Sequence, residues 1–421
     1  MNGASEEDFE TKEEDFEIKK APPKQKSWLY QHTVVLAWQF LRLKWILRRT
    51  YKKASREPLR ENKVVFLEKN GDEISDNYSL IYEELKKDKR WDIHVHYLRF
   101  NSTRARHRIH KEKEFLEDAA TAAFIVLNDS FDLQGIIKKR KGQKIMNTWH
   151  ACGAFKRFGY ATADKGFGGN TKQLQKYPLH PSSYDLVTVS SKEIEWAYVS
   201  AMGLEDCRQA VKGMGVSRTD VFFDDAFVKG AVDGFLKDHP SAMGKKVMLY
   251  APTFRGFVRE AYTPDAIDIG SFYERFHDEW VMVFKYHPFS KNRAHIEERY
   301  RDFAFDLTDV PIERLLPVAD ICISDYSSLI YEYSLFERPM IFFAYDLDEY
   351  FDFRGFFYDY EELSPGDVVK TNGELMESVG RVTGDGYDIK IVKDFKEKFM
   401  GGCDGKATER IMESFFGKAC S

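Results

Sequence analysis

Two histidines and a pair of serines stand where short apolar runs give way to polar residues, and their types suit the handling of a phosphorylated group. His150 follows the run Lys144-Ile145-Met146-Asn147-Thr148-Trp149, and His287 follows Trp280-Val281-Met282-Val283-Phe284-Lys285-Tyr286. Proline at 288 ends the second run and holds the imidazole at its end. Ser327 and Ser328 lie between the buried-strand run Val318-Ala319-Asp320-Ile321-Cys322-Ile323 and a segment in which Leu329, Tyr333 and Phe336 recur at helical spacing. A helix starting there offers an anion unpaired backbone N–H groups and the positive end of its dipole. Serine at such a place also serves simply as an N-cap. Arg255, after Tyr250-Ala251-Pro252-Thr253-Phe254, and Lys285 add cations at further strand ends, so that with His287 and the serines the group suits a diphosphate. A lone histidine is often structural, and His150 by itself is only a candidate base, with Gly153, Lys156 and Arg157 close behind it.

These residues need a frame, and the apolar runs supply it. Lys63–Leu67, Ile93–Leu98, Ala123–Leu127, Lys144–Trp149, Leu186–Val189 and, more weakly, Arg208–Val211 form one strand series; Val247–Tyr250, Trp280–Lys285, Ala304–Leu307, Ile321–Ile323 and Met340–Phe343 form a second. Short apolar runs joined by helical stretches mean mostly parallel sheets covered on both faces, with ligands at the carboxyl ends of the strands. A length of 421 residues suits two such units. The expected organisation is an acidic disordered tail over 1–25, a basic aromatic helix over 26–57, an N-terminal Rossmann-like domain over 58–235 and a C-terminal one over 236–421, with the linker in Val228–Gly244. A net charge of −5 gives no global signal for nucleic acid. The odd, widely spaced cysteines argue for a reducing compartment and against zinc or a disulfide framework. With no basic, apolar start, the expected location is cytoplasmic. No GxxxxGK[ST], GxGxxG or HExxH pattern supports P-loop, dinucleotide or zinc-protease chemistry.

Between Lys26 and Lys53 tryptophans and leucines are interleaved with Lys26, Arg42, Lys44, Arg48, Arg49, Lys52 and Lys53. The uncharged stretch is too short to span a bilayer, but the mixture suits a helix lying in an anionic headgroup layer. Because the apolar positions fall in two strips, a helix packed on the body of the protein is the competing expectation.

Taken together, Gly71–Leu85, Asn147-Thr148-Trp149-His150 with Phe155-Lys156, Gly215-Val216-Ser217-Arg218-Thr219-Asp220, Tyr250-Ala251-Pro252-Thr253-Phe254-Arg255, His287-Pro288, Ser324–Ser328, Glu337–Leu347 and Arg354–Tyr360 resemble the CDP-glycerol glycerophosphotransferase family, whose members prime or polymerise teichoic acids and related polymers. The resemblance implies a GT-B-like pair of Rossmann-type domains facing a cleft, the CDP-linked donor on the C-terminal side, a lipid-linked polymer or primer acceptor on the N-terminal side, and peripheral attachment to the inner face of the cell membrane. It implies transfer of glycerol phosphate from CDP-glycerol to an acceptor hydroxyl with release of CMP. His150 and His287 would be catalytic, with His150 the expected base and exchange of their roles left open. Arg218, Arg255, Lys285, Asp325, Ser327 and Ser328 would hold the donor, and Lys156 would lie on the acceptor side. No cofactor, obligatory metal or nucleic acid is expected, and oligomeric state is left open. Ala151, Cys152-Gly153-Ala154 and Ser217 depart from the family pattern, which leaves the polyol and acceptor in doubt. A CDP-ribitol ribitolphosphotransferase, a non-catalytic donor-binding scaffold and a sugar-transferring GT-B enzyme are the alternatives.

Overall fold

The computed structural model describes residues 37–69, 71–98, 105–163, 171–256, 261–384 and 387–417. The tail expected over 1–25 lies outside them, as does the start of the 26–57 helix. Twelve strands among the described residues form two six-stranded sheets in the orders β2-β1-β3-β4-β5-β6 and β12-β11-β10-β7-β8-β9, every pairing parallel. The first comprises β1 (Arg60–Glu68), β2 (Asp92–Tyr97), β3 (Ala122–Leu127), β4 (Lys144–Asn147), β5 (Leu186–Thr188) and β6 (Val211–Lys212). The second comprises β7 (Lys246–Tyr250), β8 (Trp280–Phe284), β9 (Ala304–Asp306), β10 (Ile321–Ser324), β11 (Met340–Phe343) and β12 (Asp367–Val369). The central strands are buried on both faces, which is why they read as unbroken apolar runs rather than alternating ones. In each sheet the chain starts in the middle, builds to one edge and returns to build the other. The order therefore reverses between β1 and β3 and between β7 and β10, the crevices where open parallel sheets bind ligands.

Three sequence expectations are amended. The weak strand over Arg208–Val211 is mostly a 3-10 turn, Glu205–Ala210, because its polar residues are exposed and only Val211–Lys212 joins the sheet. The linker is the helix Asp225–Asp238, whose start is capped by the Asp224 carboxylate accepting from the Ala226 and Phe227 N–H groups. Finally, the chain's end crosses the expected 235/236 boundary: the helix Lys390–Met400 lies against Tyr331 of the second lobe and accepts from Ser190 Oγ of the first at the Phe399 carbonyl, and Ala407–Ile411 packs on the first lobe. Ile411, Met412, Phe415 and Phe416 bury against Val64, Phe66, Val126 and Met146. The Asp220 carboxylate caps the Ala407 and Thr408 N–H groups, and Lys144 Nζ donates to the Phe415 carbonyl at 2.7 Å.

The basic aromatic segment continues as a π-helical turn, Leu41–Leu47, and a helix, Arg48–Ala54. Its two apolar strips have different fates. Leu43, Leu47 and Tyr51 join the core beside Phe115 and Leu116, whereas Trp38, Phe40, Leu41 and Trp45 are exposed. Arg42 turns inward and pairs with Glu112 and Asp132 at 2.9 and 3.1 Å.

Candidate functional site

The first lobe fixes His150 through its backbone. At the end of β4, Asn147 Oδ1 accepts from the Trp149 N–H at 2.8 Å, and Asn147 Nδ2 donates to the Asp129 carbonyl beyond β3 at 3.0 Å. Trp149 is left-handed (φ 56°), a conformation that costs a bulky residue about 1–3 kcal/mol and that the surroundings must enforce. Its indole stacks between Phe158 and the His150 ring, at 4.7 and 4.3 Å between centroids. His150 Nδ1 lies 3.1 Å from the Asn128 carbonyl. A carbonyl only accepts, so Nδ1 carries the proton and Nε2 of the neutral ring is left bare. Desolvation by the surrounding protein lowers the pKa of His150, as do Lys69 and Arg218, while Asp129 and the Asn128 carbonyl oppose the shift.

The second lobe fixes His287 in the opposite tautomer. Its Nδ1 accepts the Phe289 backbone N–H at 3.1 Å, so the neutral ring carries its proton on Nε2. Phe254 and Phe289 flank the ring at 4.9 and 4.8 Å between centroids. Desolvation, then Lys156 and Lys285, bring its pKa down to about 4. At neutral pH His287 is therefore a hydrogen-bond donor through Nε2, and His150 is the ring with a free basic nitrogen.

Most of the other residues singled out in the sequence sit near strand ends, and all but Ser328 have polar atoms engaged by protein groups. Arg255 forms a bidentate pair with Asp346 (2.6 and 2.9 Å), a third contact with Asp325 (3.0 Å) and a hydrogen bond to the Thr253 carbonyl (2.5 Å). Asp325 Oδ1 accepts from the Thr253 and Tyr326 N–H groups. These two residues thus build the β7/β10 crevice rather than offering free charge to it. Lys285 Nζ donates to the Thr308 and Val310 carbonyls, both at 2.6 Å, and so pins the loop after β9. Ser327 Oγ accepts from the Leu329 N–H at 3.4 Å, and Ser328 is the cap of a helix of only six residues, Leu329–Ser334. So short a helix gives a weaker dipole than the sequence pattern suggested, and it opens beside the reversal of strand order between β7 and β10. Lys156 bridges to Phe356 of the second lobe and lies over the Tyr350 ring at 5.7 Å. Arg218 is drawn into the contact between lobes, pairing with Glu332 at 2.8 Å.

Sequence reasoning missed the Asn128 carbonyl, Asp346 and Glu332. Asp346 follows β11 directly, a strand-end signal of the kind used for the others, whereas Glu332 is hidden within an apolar helical run. A separate cavity of about 310 Å³, lined by Asp265, Asp268, Tyr286, Glu297, Arg299 and Tyr300 among others, includes none of His150, His287, Ser327 or Ser328. Among the described residues, no group of three or more His, Cys, Asp or Glu is placed to hold a metal ion.

The sequence profile described as CDP-glycerol:poly(glycerophosphate) glycerophosphotransferase matches residues 49–417, nearly the whole described chain. The chain belongs to this family. Among its relatives, the teichoic acid poly(ribitol-phosphate) polymerase of Bacillus spizizenii is 34% identical over 85% of this chain, which spans 56% of that protein's length. The teichoic acid ribitol-phosphate primase of the same organism is 33% identical over 85% of this chain and 91% of its own length. Of solved structures, the wall teichoic acid polymerase TagF superposes with a TM-score of 0.70 at 21% identity, covering 92% of this chain and 97% of that one. That likeness establishes the fold as GT-B-like, in keeping with the two parallel six-stranded sheets.

Proposed function

We propose that the chain transfers a polyol phosphate from a CDP-linked donor to a hydroxyl of a polymer or primer, releasing CMP. The observation that carries the reading is the pair of ring contacts at the strand ends of the two lobes, His150 Nδ1 on the Asn128 carbonyl and His287 Nδ1 on the Phe289 N–H, which select opposite tautomers. An alcohol is a poor nucleophile and the transferring phosphoryl group carries negative charge, so the reaction needs one bare basic nitrogen and one hydrogen-bond donor. In the proposed step the acceptor hydroxyl gives its proton to His150 Nε2 and its oxygen bonds to the β-phosphorus. The P–O bond to CMP breaks, and His287 Nε2–H donates to an oxygen of the transferring group. The crevice walled by Thr253, Asp325, Ser327 and Ser328 receives the donor diphosphate. Lys156, beside His287, adds positive charge from the first lobe.

The family description favours CDP-glycerol as donor. A second reading, CDP-ribitol, is favoured by the names of both ribitol-phosphate relatives at 33–34% identity. Neither reading includes an obligatory metal, so turnover should persist in EDTA. The exposed Trp38, Phe40, Leu41 and Trp45 beside Lys44 and Arg48 suit peripheral contact with an anionic membrane, where a lipid-linked acceptor would be met. Among the described residues no helix is long and apolar enough to cross a bilayer.

The deciding experiment offers purified protein CDP-glycerol or CDP-ribitol with a lipid-linked glycerophosphate primer and measures CMP release. Release with either donor that His150→Ala abolishes supports the transfer reading and names the polyol. No release with either, despite donor binding, would replace it with the scaffold reading.

A further inference from the structure

Arg218 stands where three parts of the molecule meet. Its Nη2 pairs with Glu332 Oε1 of the second lobe at 2.8 Å, and its Nη1 donates to Asn77 Oδ1 at 2.9 Å and to the His150 carbonyl at 3.1 Å. Both side chains of the pair are largely buried, 14% exposed for Arg218 and 10% for Glu332. Glu332 lies on the short helix that follows the Ser327–Ser328 turn. The segment after His150 presses on the same helix: Gly153 (φ 65°) lies so close to the Tyr331 ring that a Cβ there would collide with it, and Phe155 meets Tyr331 edge-on at 6.4 Å. To reach a donor phosphate the guanidinium would have to leave Glu332, stranding a buried carboxylate, and release the His150 carbonyl, whose position the strained Trp149 makes costly to hold.

We propose that Arg218 and Glu332 form a positioning pair that sets the His150 loop of one lobe against the Ser327–Ser328 turn of the other, and that Arg218 is not a ligand of the donor. This inference rests on the assignment of His150 as base and supplies the residues that align it with the phosphate crevice. Aligning reacting groups is a large part of catalysis, and a displacement of about 1 Å can cost about a hundredfold in rate. A cavity of about 150 Å³ borders the pair, lined by Asp76, Ser79, Phe222 and Glu313 among others, so shorter or neutral side chains have room to be accommodated.

The test compares R218Q, R218K, E332Q and the double variant R218Q/E332Q as full-length proteins whose thermal unfolding is measured alongside. R218Q and E332Q are each expected to lower kcat about tenfold to a hundredfold. Donor KM and the Kd for CMP should stay within about twofold, the double variant should be no worse than either single one, and R218K should recover part of the rate. A loss of CMP affinity in R218Q that E332Q does not share would overturn the proposal and return Arg218 to the donor site. A second readout does not depend on turnover. In histidine-labelled protein the ¹⁵N shifts of His150, identified by the signal missing from H150Q, should report a proton on Nδ1 in the parent and a mixed tautomer in R218Q and E332Q. An unchanged tautomer in both variants would overturn the positioning role even if the parent releases no CMP, so failure of the transfer reading and failure of this inference are seen separately.

Discussion

An imidazole that accepts a proton and one that donates a hydrogen bond differ in which nitrogen is bare, and that difference can be read in substitutions. A glutamine amide can still offer an N–H near the position of His287 Nε2, but no amide can act as a base in place of His150. His287→Gln should therefore keep turnover within about tenfold of the parent, while His287→Ala loses about a hundredfold or more. His150→Gln should fall about 10²–10⁴-fold, no better than His150→Ala. Equal losses for both glutamine variants in CMP-release assays would mean the tautomer assignment is wrong. The pH profile follows from the same groups. As the proposed base His150 must be neutral, and desolvation lowers its pKa, so kcat/KM is expected to fall on the acid side with an apparent pKa below the ordinary histidine value of about 6.5. His287, held at about 4, stays neutral across the assay range and adds no second limb. Absence of any acid limb would contradict a base that must be neutral to act. The placement of these residues was legible in the sequence, because strand ends announce themselves: His150, His287, Arg255 and Lys285 each follow an apolar run that forms a strand. Which atoms remain available was not legible, since Asp346 and the Thr308 carbonyl occupy those cations only once the loops have folded together.

Among the elements, the N-terminal helical segment shows how composition can be read correctly and still be incomplete. Its two apolar strips were visible, and the fold assigns one to the core and leaves the other facing out. The inward turn of Arg42 was not visible, because its partners Glu112 and Asp132 lie 70 and 90 residues away. That ion pair also fixes the segment on the body. Glu112 is fully buried and is also paired with Arg108 Nε at 3.0 Å, so Arg42→Ala would leave its charge only partly compensated, at a cost of about 1–3 kcal/mol in urea unfolding. Replacing Arg42 with Met and Glu112 with Leu together should recover most of that loss, since the two most buried charges are removed while Arg108 and Asp132, 31% and 19% exposed, can turn to solvent. A double variant as unstable as Arg42→Ala would show that the pair contributes more than charge compensation. The outer strip makes a different prediction. Trp38→Ala/Trp45→Ala should weaken co-sedimentation with vesicles containing anionic lipid while leaving CMP release from a soluble acceptor unchanged, and unaltered sedimentation would remove the membrane role from this face.

At the scale of the whole molecule, the two sheets were legible as two strand series, but the path of the last helices was not. A helix's apolar stripe says that it must be covered and does not say by which lobe. Ile411, Met412, Phe415 and Phe416 cover one face of the first sheet, and at about 1.5–3 kcal/mol for each buried side chain they contribute about 6–12 kcal/mol as an upper estimate. That is comparable to the entire net stability of a typical domain, about 5–15 kcal/mol. The apolar core is also continuous from one lobe to the other, with Val65 and Ile125 in the same cluster as Leu249, Val283 and Cys322. A chain ending at Gly402 is therefore expected to lose the first lobe and not merely its own last helix, which would appear as loss of the cooperative urea transition followed by far-UV circular dichroism. The full chain should unfold in one transition, because removing either lobe exposes the core of the other. Two well-separated transitions, or a truncated chain that still unfolds cooperatively at the parent's midpoint, would show that the lobes are stable alone and that the returning helices are accessory.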